Sequence, residues 1–398
     1  MGVWESETVG WDPHAVHGIQ AADGGYVAVG MALEEEESSE SLDSFVVKTK
    51  GSCFPDETYS VLDGSDCNAL DWATRFGTKG KADQAMWVAE SPDGTYLIVT
   101  GVSEGSDGLP KINIVKISES DGSIIWEMSY GTGSGVESVA FTSDGGFVVG
   151  GFLDTEEPAN EMGFKSGGQA EGTPFVGKIS AEDAAGSTKP TSFEWTYTKE
   201  GESFRGSAKA MRIDSDDNVY LIMGLSIVAK LDSSGQEEWN TGIIDDSVQL
   251  NDLELASDGL VLVGHKYTKT TEGCWFDGCG VIKGHAVKLD QTGDKVWAKD
   301  YGNYPGGVNQ FDGLEQGNWA LVYNECWGIA PKYAEDGTTH DGYVMACGTG
   351  IEGCQMFGAN FKWSTYNECK KDPRTIWRSL AVATDLEGER VYSRMDSF

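Results

Sequence analysis

A tryptophan returns along this chain in a fixed context. It stands at Trp4, Trp72, Trp126, Trp195, Trp239 and Trp297, and its fullest setting is Leu289 to Gly302, LDQTGDKVWAKDYG. That stretch reads as a strand ending at Leu289-Asp290, a tight turn at Gln291-Thr292-Gly293, and a returning strand anchored on Trp297. Self-similarity at a period of tens of residues constrains the fold more than composition can. Each unit must bury its apolar faces against its neighbours, so the repeat names the architecture.

Roughly 20 residues after each Trp comes a turn and a β-rich strand. These are Asp23-Gly24 with GYVAVG, Asp93-Gly94 with TYLIVTG, Asp144-Gly145 with GFVVGG, Asp217-Asn218 with VYLIMG, Asp258-Gly259 with LVLVGH and Gly317-Asn318 with WALVYN. Asp-Gly and Gly-Asn between β-branched runs are hairpin signals. A third strand follows each: FVVKTK, INIVKIS, PFVGKIS, SIVAKLD, HAVKLD and SLAVATD. A Gly-bearing turn then leads to the Trp strand, and the last copy, DLEGERVYSRMDSF, has Tyr392 in its place.

Four strands per unit, six times over, is the pattern of an all-β chain forming a single β-propeller of six four-stranded blades. The expected blades run 10–76, 77–130, 131–199, 200–241, 242–301 and 302–398, with an N-terminal strand at 2–9 closing the ring. The last Trp-to-Tyr spacing is 95 residues against 44 for the shortest Trp-to-Trp spacing, which marks a Cys-rich insert at 326–375 in the last blade. DGYVMACGTG at 341–350 reads as another hairpin, so seven blades is the alternative.

LDQTGDKVW, LDSSGQEEW and SESDGSIIW resemble the outer hairpin of quinoprotein-type (PQQ-like) propeller repeats, where Asp, Gly and Trp recur in this order. The resemblance covers nearly the whole chain and implies architecture, not activity. The chain has no adjacent Cys-Cys pair, which a quinone-dependent dehydrogenase of that kind carries near its cofactor. No GxSxG, HExxH or GxxxxGK[ST] occurs, and SPDGTYL and TSDGGFV do not match the Asp-box of sialidases.

The formal charge is −35, from 64 acidic and 29 basic residues. Such a surface repels phosphate backbones, so nucleic acid is excluded as a natural partner. No apolar run approaches the length of a membrane span, and MGVWESETVG carries no signal-peptide pattern. The eight cysteines fall in local groups: Cys53 with Cys67, Cys274 with Cys279, and Cys326, Cys347, Cys354 and Cys369 together. No CxxC or nearby His supports zinc, so disulfides and an extracellular, surface or otherwise oxidising compartment are expected. The last four cysteines allow three connectivities.

Propeller ligands bind near the central channel, on the innermost strands. Six positions before each hairpin turn stand His17, Trp87, Ser138, Ala210, Asp252 and Gln310, and the adjacent registers add His14, Glu137, Lys209, Arg212, Asn251, Glu254, Asn309 and Asp312, a mixed polar ring. His14, His17, Trp87, Glu137, Asp252 and Gln310 are the candidate ligand residues at the channel mouth. No catalytic residue is assigned. A three-residue spacing on a regular strand sends His14 and His17 to opposite faces, against a joint metal site. No cofactor is implied; calcium, as structural support, is compatible with the acidity. Most long inserts follow the second strand of a blade and so gather on one face, the expected contact surface.

Two functions follow. The first is a non-catalytic binding or structural module, acting through protein partners, self-association or glycans by its loop-rich face, as in a self-assembling subunit of a surface structure. The alternative is a carbohydrate-active enzyme, a glycoside hydrolase or lyase, at the channel mouth.

Overall fold

In the computed structural model we describe residues 11–33, 41–50, 70–159, 172–201, 204, 206–245, 247–269, 280–301, 323–334, 336–351 and 376–396. These form six four-stranded antiparallel sheets, each of four consecutive strands. The first holds β1 (Trp11–Gln20), β2 (Tyr26–Leu33), β3 (Leu42–Thr49) and β4 (Leu70–Phe76). The second holds β5 (Gln84–Glu90), β6 (Tyr96–Glu104), β7 (Pro110–Ser118) and β8 (Ile124–Tyr130). The third holds β9 (Gly135–Phe141), β10 (Phe147–Leu153), β11 (Thr173–Ile179) and β12 (Trp195–Thr198), with a short helix, α1 (Ala181–Ala185), before β12. The fourth holds β13 (Ala208–Ile213), β14 (Val219–Met223), β15 (Ile227–Leu231) and β16 (Glu237–Ile243). The fifth holds β17 (Val248–Ala256), β18 (Gly259–Lys269), β19 (Gly280–Asp290) and β20 (Lys295–Tyr301). The sixth holds β21 (Tyr323–Tyr333), β22 (His340–Ile351), β23 (Ile376–Thr384) and β24 (Arg390–Asp396). The fold class is the expected all-β, six-bladed propeller, each sheet one blade.

The chain divides into two compact units, Met1–Gly224 with Lys230–Glu238, and Leu225–Ala229 with Trp239–Phe398. In the first, alternate residues of one strand pack in opposite directions. Leu97 and Val99 of β6 join Val27, Val29 and Val46 of the first sheet, while Tyr96 and Ile98 join Phe147, Val149 and Ile179 of the third. A sheet covered on both faces needs continuous apolar runs, which is why TYLIVTG and INIVKIS do not alternate with polar residues. In the second unit Val261, Val263 and Tyr301 meet Ile329, Tyr343 and Val382.

The repeated Trp has a defined seat. The ring of Trp72 lies on Gly122, in the β7–β8 turn of the next sheet, where a Cβ would stand 2.5 Å from Cε3. Trp195 covers Gly235, Trp239 covers Gly293 and Trp297 covers Gly388 in the same way. Trp72 also donates from Nε1 to the Glu119 carbonyl at 2.8 Å, and Trp239 to that of Gln291 at 3.1 Å. Each receiving Gly is in the left-handed region, at φ 70, 82, 85 and 74. The turn Asp sets it there: Asp290 Oδ1 accepts from the backbone of both Thr292 and Asp294. The Asp, Gly and Trp of LDQTGDKVW are thus one device, a turn that receives one Trp and a strand that sends out the next.

A second regularity was not legible as a motif. The first strand of every sheet carries a β-bulge, with Val16, Met86, Glu137, Lys209, Asn251 and Trp327 as the extra residues. Opposite it in four sheets stands a glycine of β2, β6, β10 or β18: Gly30, Gly101, Gly151 or Gly264. A Cβ on any of these would sit 1.9 Å from a carbonyl oxygen of the bulged strand. The glycines ending GYVAVG, TYLIVTG and GFVVGG therefore make room for the bulge.

In the sixth sheet the same register holds cysteines. Cys326 of β21 faces Cys347 of β22, and the two form a disulfide with Cα atoms 3.9 Å apart. This revises the last blade. Cys326 and Cys347 belong to strands and not to the insert, and DGYVMACGTG is the second strand of the sixth sheet, not a seventh blade. Tyr323-Asn324, read as the end of a second strand, begin the first. Gln310, the turn at Gly317-Asn318, the strand at 2–9 and the remaining cysteines lie outside the described residues; the fourth place in the sixth sheet is held by β24. A disulfide fits an oxidising compartment, and no helix among the described residues is long and apolar enough to cross a membrane.

The Trp seat is tested by Gly122→Ala against Gly145→Ala. Both glycines have positive φ, but a Cβ at Gly145 meets nothing within 4 Å. Gly145→Ala should cost only backbone strain, about 1 kcal/mol, and Gly122→Ala about 2–4 kcal/mol, read from urea unfolding midpoints. Replacing Cys326 by Ala and Cys347 by Gly, the pairing closest to that of the other sheets, should retain the fold and lower stability by about 3 kcal/mol for a loop of this size.

Candidate functional site

The first strands are where the sequence places its candidate ligand residues. In the first unit β1, β5, β9 and β13 lie side by side. Glycine allows this approach: a Cβ on Gly150 would meet the Ala208 carbonyl at 2.6 Å and Ser138 Oγ at 2.8 Å. The bulges then turn polar side chains of neighbouring sheets towards one another along this inner edge.

His17 and Trp87 come together, their rings stacked with centroids 3.7 Å apart and 18° between planes. Val88 N–H points at His17 Nδ1, 3.4 Å away. Burial, with a smaller push from the Arg212 charge, lowers the imidazole to about 3, so at neutral pH the ring is uncharged. Next along the edge is a pair of bulge residues, Glu137 and Lys209. Ser207 Oγ donates to Glu137 Oε2 at 2.5 Å. Burial pushes the Glu137 carboxyl up, against that hydrogen bond and the Lys209 charge. Lys209 is 5% exposed, and burial lowers its amine to about 7 although Glu137 pulls the other way. A buried acid and amine, each displaced towards its neutral form, are the most chemically distinctive groups on this edge.

His14 is exposed. The bulge at Val16 sets His14 and His17 in register with Met31 and Val29, two residues apart on β2. They therefore share a face, contrary to the expectation from regular spacing. His17 is nevertheless occupied against Trp87, and no group of three or more His, Cys, Asp or Glu among the described residues is arranged to hold a metal ion.

In the second unit Asp252 is 7% exposed and tied to backbone: Oδ1 accepts from Leu253 N–H at 2.8 Å and Oδ2 from Ile329 N–H at 3.1 Å. Asn251 Nδ2 donates to the Cys326 carbonyl at 2.8 Å. Asp252 thus pins β17 to β21. The bulge residue Trp327 is 44% exposed, with the His265 ring 5.9 Å away. The place expected for Gln310, one residue past the bulge, belongs to Gly328.

Lys209 and Arg212 stand in the registers beside Ala210 that the sequence places on the polar ring, while Ser207 and Trp327 were not among its members. The signal was available: the residue one before each counted position is the bulge residue.

No protein-family model matches the chain, and no curated protein matches it. Among solved structures it is similar to a protein of unknown function from Bacteroides caccae, at 12% identity and a TM-score of 0.39, over 82% of this chain and 86% of that one.

His17 yields a pH test. Its folded value lies below the ordinary 6.5. As pH falls through that value the unfolded chain takes up a proton that the folded chain refuses, so stability present above 6.5 is lost progressively down to about 3. His17→Phe keeps a ring on Trp87 without the titration. On going from about pH 7 to about pH 4.5 the thermal midpoint should fall less in this variant than in the native chain.

Proposed function

We propose that this chain acts by binding and not by turnover, as a rigid propeller module whose contacts are made at the connection-bearing end of its sheets. The observation that carries this reading is the commitment of the inner-edge groups. Asp252 and Asn251 hold backbone, Ser138 donates to the Ala208 carbonyl, Glu137 is held by Ser207, and His17 is a neutral ring against Trp87. Each is spent on fixing one sheet to the next. Glycoside hydrolysis needs a second carboxylate working with the first, whereas the groups acting on Glu137 are Ser207 and Lys209.

The connections support the same reading. Residues 34–41, 154–172, 270–279 and 352–375 link second to third strands, and 302–322 link the fifth sheet to the sixth. Strand alternation puts all of these at the end of each sheet where the chain passes to the next. Only 50–69 and the α1 segment lengthen the other end. Function concentrates on loops held by such a scaffold. Protein partners, glycans and a second copy of the chain are the occupants this surface suggests, and an oxidising compartment suits the cysteines.

Light scattering coupled to size exclusion, over a range of concentration and salt, tests self-association. Discrete oligomers or polymers are expected if copies bind one another, and a 42.8 kDa species throughout would remove that mode and leave glycans and other proteins. Turnover of a glycoside panel that disappears in Glu137→Gln would overturn the non-catalytic reading altogether.

A further inference from the structure

The second unit carries a cleft away from the first strands. We propose that this cleft, lined by Lys283, Lys299, Asp300, Tyr301, Glu389 and Arg390, binds a small molecule bearing a single carboxylate. It lies between β19 and β20 on one side and the β23–β24 turn on the other, and it encloses about 500 Å³. That is the size of an ordinary small-ligand site.

Its walls are set by the Trp seat. Trp297 packs on Gly388, and the buried Tyr301 hydroxyl donates to the Gly388 carbonyl at 2.7 Å. The cleft is therefore formed before a ligand arrives, which spares a ligand the cost of ordering it.

The charges select the ligand. Three of the seven lining residues are basic, in a chain with only 29 Lys and Arg among 398 residues and a net charge of −35. Both lining carboxylates are engaged. Asp300 Oδ1 is 2.7 Å from His285 Nδ1, and Oδ2 is 3.4 Å from Lys283 Nζ. Glu389 Oε1 is 2.5 Å from Lys299 Nζ. Arg390 is exposed and makes no ion pair among the described residues. Among the lining residues three cations face two carboxylates, with Asp385 also acting on Tyr301, and this near-balance suits a monoanion better than a phosphate dianion. A guanidinium offers a carboxylate two parallel N–H donors. Arg390 is the gripping group, with the Lys299 ammonium, which lies 5.7 Å from the Trp297 ring centroid, as the second. At long range the chain repels anions, so the attraction acts at contact and stays specific to this cleft.

Calorimetric titration of the full chain with glucuronate and with acetate tests this, with glucose as the uncharged control for the sugar ring. Glucuronate or acetate should bind with Kd in the millimolar range, and glucose should give no signal. Arg390→Gln and Lys299→Met should each weaken binding by about tenfold, while Lys79→Gln, an exposed lysine of the first unit, leaves it unchanged. The proposal is overturned if neither carboxylate binds, if glucose binds equally, if Arg390→Gln has no effect, or if Lys79→Gln weakens binding as much. None of the lining residues belongs to a first strand, so either result leaves the binding-module reading to its own tests.

Discussion

A bare glycine in a left-handed turn, covered by an indole from the preceding sheet, is the contact on which this architecture depends. A four-stranded sheet has two apolar faces and cannot stay in water alone. Side-chain packing between sheets supplies the bulk of the free energy, at about 1.5–3 kcal/mol for each fully buried aliphatic chain. Such packing is nearly indifferent to sliding. The Trp seat is not, because one ring fits over one Cα, and in two of the seats, those of Trp72 and Trp239, the indole N–H also finds one carbonyl. It turns a stack of sticky sheets into a stack with a defined offset.

The bulges on the first strands add a second layer of control. Adjacent first strands must approach closely while carrying polar side chains, and a regular pleat would aim those chains alternately away. One extra residue per sheet re-aims them, at the cost in four sheets of a glycine on the partner strand. In each unit the result is a set of side chains that fasten sheet to sheet, such as His17 on Trp87 in the first and Asp252 on the Ile329 amide in the second.

The blade count, strand order and Trp role were legible in the sequence because they rest on local periodicity and on turn residues with fixed backbone demands. Where the reading failed, a local irregularity had shifted the count. His14 and His17 were assigned to opposite faces by a period of two, which the bulge at Val16 breaks. The sixth blade was misread because its Asp336-Gly337 hairpin stands late, and WALVYN imitates a second strand. The Glu137–Lys209 pair was out of reach for another reason: the two lie in different sheets, and only the approach allowed by Gly150 makes them neighbours. The cleft at Arg390 is equally non-local.

The sixth sheet departs from the others at two matched positions. Ala383 and Tyr392 stand where the first, second, third and fifth sheets pair a lysine with a tryptophan across the third and fourth strands. It is also the sheet in which a disulfide stands beside the bulge, in the register where four others have a glycine. For a chain peeled from its C-terminus, β24 and then β23 could strip away strand by strand. The covalent tie between β21 and β22 would arrest the tear there. The sixth blade thus carries a rip-stop against force applied along its last two strands.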